Sequence, residues 1–274
     1  MLYQGNIRDY LSKQPLLFDG AMGTYLADKY IQFGGESCEK WNLRYPERIK
    51  QIHKEYIDAG AVAIKTNTFA ANAGDHFTAE EVGKVIAAGT QIAREAIEES
   101  AGEQILFGDI GPVLIGDEND AAERYRLPVD CFLEQGFNYF DTAHGYLQGK
   151  SELALKECLT SRYPREDYVL TDKLSGSYFK KEEDIRPFFE SQLAACGVDY
   201  FDFYLMHSQS TTNYQHFRDC RAYETAFALK AEGKVRHVGI SFHDRAAVLE
   251  QILTDYPAIE VVQIQFNYLD YDDV

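Results

Sequence analysis

Basic residues are scarce in this chain. Lysine and arginine number 27 against 44 aspartates and glutamates, a formal net charge of -17. So acidic a chain has no cationic footprint for a phosphate backbone or an anionic lipid surface, and neither nucleic acid nor a membrane is expected as a partner. The surplus charge reads as a solubilising surface. No apolar run approaches the roughly 20 residues that span a bilayer. The opening MLYQGNIRDYL lacks the apolar core of a secretory signal. Cysteine motifs are missing as well. Cys38, Cys131, Cys158, Cys196 and Cys220 are odd in number, widely spaced and contain no CxxC pair. A structural zinc site or a dithiol centre therefore has no support, and reduced thiols are expected. There is no GxGxxG fingerprint, internal repeat or low-complexity linker. These absences lead to the expectation of a cytoplasmic protein acting on a small-molecule substrate.

What the chain does have is apolar character, 45% of 274 residues, enough for a full core. It is arranged in eight short runs: PLLFDG (15–20), AVAIKTNTF (61–69), QILFGDIGP (104–112), FNYFDTA (137–143), DYVLTDKL (167–174), YFDFYLMHS (200–208), VRHVGISFH (235–243) and EVVQIQFNYL (260–269). Near-continuous apolar runs suit strands buried on both faces of a parallel sheet. Amphipathic segments lie between them. PERIKQIHKEYIDAG (46–60) sets Ile49, Ile52, Tyr56 and Ile57 on one stripe and ends at a glycine. The segment 78–100 opens with Thr78 and Glu81 in capping-box spacing. Segments 183–197 and 244–256 behave likewise. The βα alternation with eight strands predicts a (β/α)8 TIM barrel, 1–274 as a single barrel. Only DYDDV follows the eighth run, so the last helix is expected to be missing and closure to be imperfect, with NIRDYLSKQ (6–14) covering part of the seam. The most polar, helix-poor stretch is IGDEND (115–120).

In such barrels the residues just past the C-terminal strand ends face the active site. Here they are Asp19, Asn67, Asp109, Asp141, Tyr146, Lys173, His207, Ser241 and Gln263. Asp141, Lys173 and His207 close three consecutive runs, and neighbouring strands lie about 4.8 Å apart, so the three can meet. Tyr146 follows on the loop after Asp141. A free phenol, with pKa near 10, is a poor acid at neutral pH, and a nearby ammonium makes it a better one. A carboxylate holds the ammonium, and a histidine can orient a carbonyl oxygen. Taken singly, a strand-end lysine is more often a surface salt-bridge partner, and such a histidine is more often structural. Together the four read as a carbonyl-reducing site.

Two resemblances stand beside this reading. GFNYFDTAHGYLQGKSE, LTDKL, VDYFDFYLMHS, GKVRHVGISFHD and VVQIQFNY make the stretch 117–274 resemble the aldo-keto reductases, of the bacterial NADPH-dependent oxidoreductase type. That resemblance implies Asp141, Tyr146, Lys173 and His207 as the catalytic tetrad, with Tyr146 the proton donor. It also implies that Ser241 and Gln263 hold the nicotinamide carboxamide, although Phe242 stands where that family often has asparagine. LLFDGAMGTYL, CEKWNLRYPERIKQIHKEYIDAGAVAIKTNTFAAN and GDIGP make 1–112 resemble the N-terminal part of homocysteine S-methyltransferases, the boundary between the two falling by residue 116. That family holds zinc with cysteines on later strands that have no counterpart here, so its zinc site is expected to be absent. The chain thus looks like three βα units of one barrel family joined to five strands of another.

The first expectation is NADPH-dependent reduction of an aldehyde or ketone. Weakened cofactor affinity is expected, because the reductase family's last strands, with the stacking aromatic and the basic 2′-phosphate residues, have no counterpart. The loop DGAMGT (19–24) would take the neighbouring place without a lysine or arginine. A second reading is a methyltransferase-like protein without zinc, with Asp19, Gly20, Asn67 and Asp109 lining an amino-acid pocket. A third is a catalytically inert hybrid barrel.

Overall fold

The computed structural model describes residues 1–3, 5, 10, 13, 16–30, 36–72, 77–109, 111 and 121–264. The chain divides into two compact units, Met1–Phe137 and Asn138–Val274.

In the first unit the helices follow from their caps and stripes. Helix α1 spans Met22–Lys29 and α2 Trp41–Arg44. Helix α3, Pro46–Asp58, starts on a proline, whose missing N–H costs nothing in a first turn. Its buried face is Ile49, Ile52, His53 and Ile57. It stops before Gly60, whose φ of 106° lies in the left-handed region that a glycine enters freely. Helix α4, Ala79–Glu98, carries the expected capping box. The Thr78 hydroxyl accepts from the Glu81 N–H at 3.3 Å, and the Glu81 carboxylate accepts from the Thr78 N–H at 2.8 Å. Ile49 and Ile52 of α3 and Ile92 of α4 share one core cluster with Leu26 of α1 and Trp41 of α2, and Ile57, Ala93 and Ile97 share a second with Ile64.

The strands of this unit are shorter than their apolar runs. β1 (Ala63–Lys65) and β2 (Ile105–Phe107) pair in parallel, Ala63 opposite Ile105. The run 15–20, expected as a strand, forms only an isolated parallel bridge from Phe18 to Ala63. The reason is local. The Asp19 N–H reaches Ala63 O at 2.8 Å, but the next donor along β1, Lys65 N–H, is taken by the Asp19 carboxylate at 3.0 Å rather than by a backbone carbonyl. The Thr66 hydroxyl likewise takes Asp109 N–H at 3.2 Å and ends the β1–β2 ladder. Helix α5, Ala121–Glu134, runs through Pro128, a residue that more often breaks a helix interior.

The second unit is a five-stranded, all-parallel sheet in the order β3 (Tyr139–Asp141), β4 (Val169–Leu174), β5 (Phe201–Gln209), β6 (Val235–Phe242) and β7 (Val261–Ile264). Its helices are α6 (Lys150–Leu155), α7 (Glu182–Cys196), α8 (Tyr214–Asp219), α9 (Ala222–Ala231) and α10 (Ala246–Asp255). The strands are pinned low down by Asp202, buried on β5. It accepts from Arg165 at 2.6 Å, Leu170 N–H at 2.9 Å and Arg236 at 2.8 Å. The sheet is strongly curled. Four spacings of about 4.8 Å would separate its edges by about 19 Å in a flat sheet, yet Gln263 on β7 donates to Asp141 on β3 at 3.3 Å.

Among the described residues there are thus two parallel sheets of two and five strands. The end of the eighth run beyond Ile264, the tail DYDDV, the stretch IGDEND and most of NIRDYLSKQ lie outside the described residues. No helix among those described is long and apolar enough to cross a membrane.

Candidate functional site

The C-terminal strand ends of the five-stranded sheet gather the four residues expected there. Lys173 leaves β4 with its side chain almost wholly buried, 1% exposed, so it is not the surface ion-pair partner that a lone lysine suggests. Its ammonium donates to both Asp141 carboxylate oxygens, one of them at 2.8 Å, and to Thr142 O at 2.9 Å. The Tyr146 phenol oxygen is 3.4 Å away, and the ammonium also lies 4.9 Å from the centre of that ring.

Tyr146 is 42% exposed and opens a short turn, Tyr146–Gly149. Leu147 and Gln148 in that turn have φ of 50° and 57°, a costly left-handed geometry for residues with a Cβ. The turn delivers the chain into α6, and Tyr146 stands at its mouth.

His207 comes from β5 at a break in the ladder, the register shifting between Met206 and Gln209. Ser208 takes φ of 53°, and its N–H donates to the Ser241 hydroxyl at 2.7 Å. Such a bulge re-aims the side chain beside it. The His207 Nδ1 lies 2.6 Å from the Ser175 hydroxyl, and its ring meets Tyr146 edge-on at 5.7 Å. Burial pushes the imidazole down to about 4, helped by the charges of Lys173 and His243. The ring is neutral at physiological pH. A cavity of about 650 Å³ opens beside it, lined by Gly145, Ser175, His207, Ser208 and Asn213 among others.

Ser241 and Gln263 are register partners on β6 and β7. Gln263 is exposed, with Asp141 as its hydrogen-bond acceptor. The sequence reading missed Ser175, two residues after Lys173, and the Thr142 carbonyl. Glu152 and His144 lie within the motif GFNYFDTAHGYLQGKSE. His144 Nδ1 lies 2.7 Å from the Glu152 carboxylate, which is fully buried. Burial, then the neighbouring Glu152 charge, pushes the carboxyl of Asp172 well above its usual range. This network lies on the opposite face of β4 from Lys173, by the alternation of a strand.

The other four residues singled out belong to the first unit. Asp19 is buried, its Oδ1 has no hydrogen-bond partner among the described residues, and burial pushes its carboxyl up to about 7 against the pull of Lys65. Burial also raises Asp109, which lies 4.0 Å from the Lys65 ammonium. Gly20 has no room for a side chain: a Cβ there would sit 2.7 Å from the Tyr56 hydroxyl. Asn67 spends its amide on Cys38 O and Asn42, each at 2.8 Å, which is a structural use. Burial and Glu39 push the Cys38 thiol well up, away from the thiolate a metal would need. Among the described residues no three His, Cys, Asp or Glu are gathered to hold a metal ion.

Comparison with known proteins divides the chain in the same way. Residues 16–144 match the homocysteine S-methyltransferase family, and residues 107–274 match the aldo/keto reductase family. The matches share 107–144, which straddles the expected junction. The methionine synthase of Mycobacterium tuberculosis (strain ATCC 25618 / H37Rv) is 37% identical over 40% of this chain and 10% of its own length. The NADH-specific methylglyoxal reductase of Escherichia coli (strain K12) is 30% identical over 53% of this chain and 49% of its own. An aldo/keto reductase structure from Brucella melitensis is 31% identical, covering 53% of this chain and 54% of that one, with a TM-score of 0.44. The chain therefore spans half or less of the length of these two curated relatives. It is a hybrid: it carries homocysteine S-methyltransferase-like sequence in its first half, and through residues 107–274 it belongs to the aldo/keto reductase family.

Proposed function

We propose that this protein reduces a small aldehyde or ketone with NADPH at the site formed by Asp141, Tyr146, Lys173 and His207. The observation that carries this reading is the buried Lys173 ammonium, shared between Asp141 and the Tyr146 phenol. Bound NADPH would supply the hydride. Tyr146 gives its proton to the carbonyl oxygen. Lys173 faces the phenol oxygen, while Asp141 and Thr142 O hold the ammonium in place. Neutral His207 donates a hydrogen bond to the same carbonyl oxygen, the preorganised kind of contact that stabilises developing negative charge.

For the cofactor, Ser241 and Gln263 fit the nicotinamide carboxamide. They are neighbours across β6 and β7, they offer both donors and acceptors, and Gln263 lies against the carboxylate that anchors Lys173. Affinity is proposed to be weak. One barrel, three βα units from the first family and five strands from the second, is proposed from the eight apolar runs of the sequence. Limited proteolysis giving two stably folded pieces near Gly116 would refute that. Quenching of protein fluorescence by NADPH, followed by NADPH oxidation with a panel of reactive aldehydes, tests the function. Binding and turnover support it, and neither being seen at millimolar cofactor refutes it.

A second reading attaches to the first unit. The buried Oδ1 of Asp19, without a hydrogen-bond partner among the described residues, suits an ammonium group such as that of an amino acid. Titration calorimetry with homocysteine, and its loss in Asp19→Ala, tests this.

A further inference from the structure

We propose that Ser175 is a positioning residue of the reductase site: its hydroxyl donates to Nδ1 of His207 and fixes the ring as the tautomer that carries its proton on Nε2. The consequence for turnover rests on the reductase reading above; the tautomer itself does not.

The starting point is the 2.6 Å separation between Ser175 Oγ and His207 Nδ1. A neutral imidazole has one donor and one acceptor nitrogen, and the partner of the first decides the role of the second. The ring here is half-buried near the Lys173 ammonium, and a second positive charge is disfavoured, so the neutral form prevails. With Nδ1 accepting from Ser175, Nε2 bears the hydrogen. That is the form able to donate to a carbonyl oxygen. The opposite tautomer would turn a lone pair on Nε2 towards that oxygen and repel it.

The surroundings of Ser175 suit this task. It directly follows β4, so the strand that supplies Lys173 also supplies the group that sets His207. Ser175 is itself buried, 7% exposed. Its hydroxyl lies 3.9 Å from the place a Cβ on Gly145 would occupy, ordinary van der Waals contact. The His207 backbone is fixed separately, through the Ser208 N–H on the Ser241 hydroxyl. The chain is thus held from β6 and the ring from β4. Removing the Ser175 hydroxyl frees the tautomer without freeing the backbone.

The test is two-bond 15N–1H NMR of the full chain labelled on histidine, with His207 assigned from the signal lost in His207→Gln. An acceptor-type Nδ1 and a protonated Nε2 are expected in wild type, a mixture of tautomers in Ser175→Ala, and the wild-type pattern in Ser175→Thr. In turnover, Ser175→Ala is expected to lower kcat about tenfold, the size of one net hydrogen bond, with the KM for NADPH unchanged and Ser175→Thr restoring the rate. A protonated Nδ1 in wild type overturns the proposal, and so does an unchanged tautomer ratio in Ser175→Ala. Wild type alone decides the first point even where Ser175→Ala does not fold. If the chain binds no NADPH, the reductase reading fails while the tautomer measurement still decides the role of Ser175.

Discussion

The Lys173 ammonium lies 3.4 Å from the Tyr146 phenol oxygen, and the two groups differ sharply in exposure, 1% against 42%. A buried cation beneath an accessible phenol is an arrangement that lets solvent-side chemistry draw on an interior charge. Tyr146→Phe removes the acid and leaves the cation, so NADPH-dependent turnover of a reactive aldehyde should fall by about 10²–10⁴-fold, with binding of NADPH unchanged. Full activity in Tyr146→Phe would show that the proton comes from elsewhere.

Lys173→Met keeps most of the stem's packing and removes the charge that Asp141 and the Tyr146 phenol share. Turnover should fall to a similar extent. Stability should fall too, since the Asp141 carboxylate keeps only Gln263 of the partners described here. A variant with normal turnover would mean that the Lys173–Tyr146 proximity has no catalytic use.

Gln263 bridges the two edges of the curled sheet through Asp141. Gln263→Ala should weaken NADPH binding about tenfold, as expected for losing one or two hydrogen bonds, while the far-ultraviolet circular dichroism stays the same. An unchanged dissociation constant would take Gln263 out of the cofactor site.

The sequence made Asp141, Lys173 and His207 visible because each closes an apolar run whose end a parallel sheet fixes in space, and Tyr146 follows on the loop after Asp141. Lys173 and His207 need only the register of β4 and β5 to approach one another. The helices announced themselves by caps: Thr78–Glu81 at α4 and Gly60 after α3. Ser175 was not legible, since a serine after a strand is among the commonest loop residues and its value lies in the 2.6 Å to His207. The bulge at Ser208 was hidden for a similar reason, for a non-glycine residue at φ 53° leaves no mark in composition. The first apolar run misled because the Asp19 side chain takes a ladder donor, a competition between side chain and backbone that hydrophobic pattern does not encode.

The last prediction concerns pH and the first unit, where two buried groups pull in opposite directions. Asp19 has its carboxyl raised by burial from 3.8 to about 7. The folded state therefore holds a proton that the unfolded chain has lost, and stability falls as pH rises from about 4 to about 7. His53 is fully buried, with both ring nitrogens unpartnered among the described residues, and burial lowers it from 6.5 to about 4. Here the unfolded chain takes up the proton first, so stability falls as pH drops from about 6.5 to about 4. The two effects are each on the order of 3–4 kcal/mol when complete, and between pH 4 and 6.5 they oppose one another. Asp19→Asn keeps an oxygen for the Lys65 N–H and removes the carboxyl, so its stability should rise with pH across that window. His53→Leu removes the unpartnered ring and should be more stable than wild type at pH 5, with stability that falls as pH rises to 7. Trp41, the single tryptophan, packs with Ile49 and Ile52 in this unit and reports its unfolding. Urea midpoints from Trp41 fluorescence at pH 4.5, 5.5 and 7 give the slopes. Parallel pH profiles in wild type and both variants would show that neither group carries the burden its burial implies.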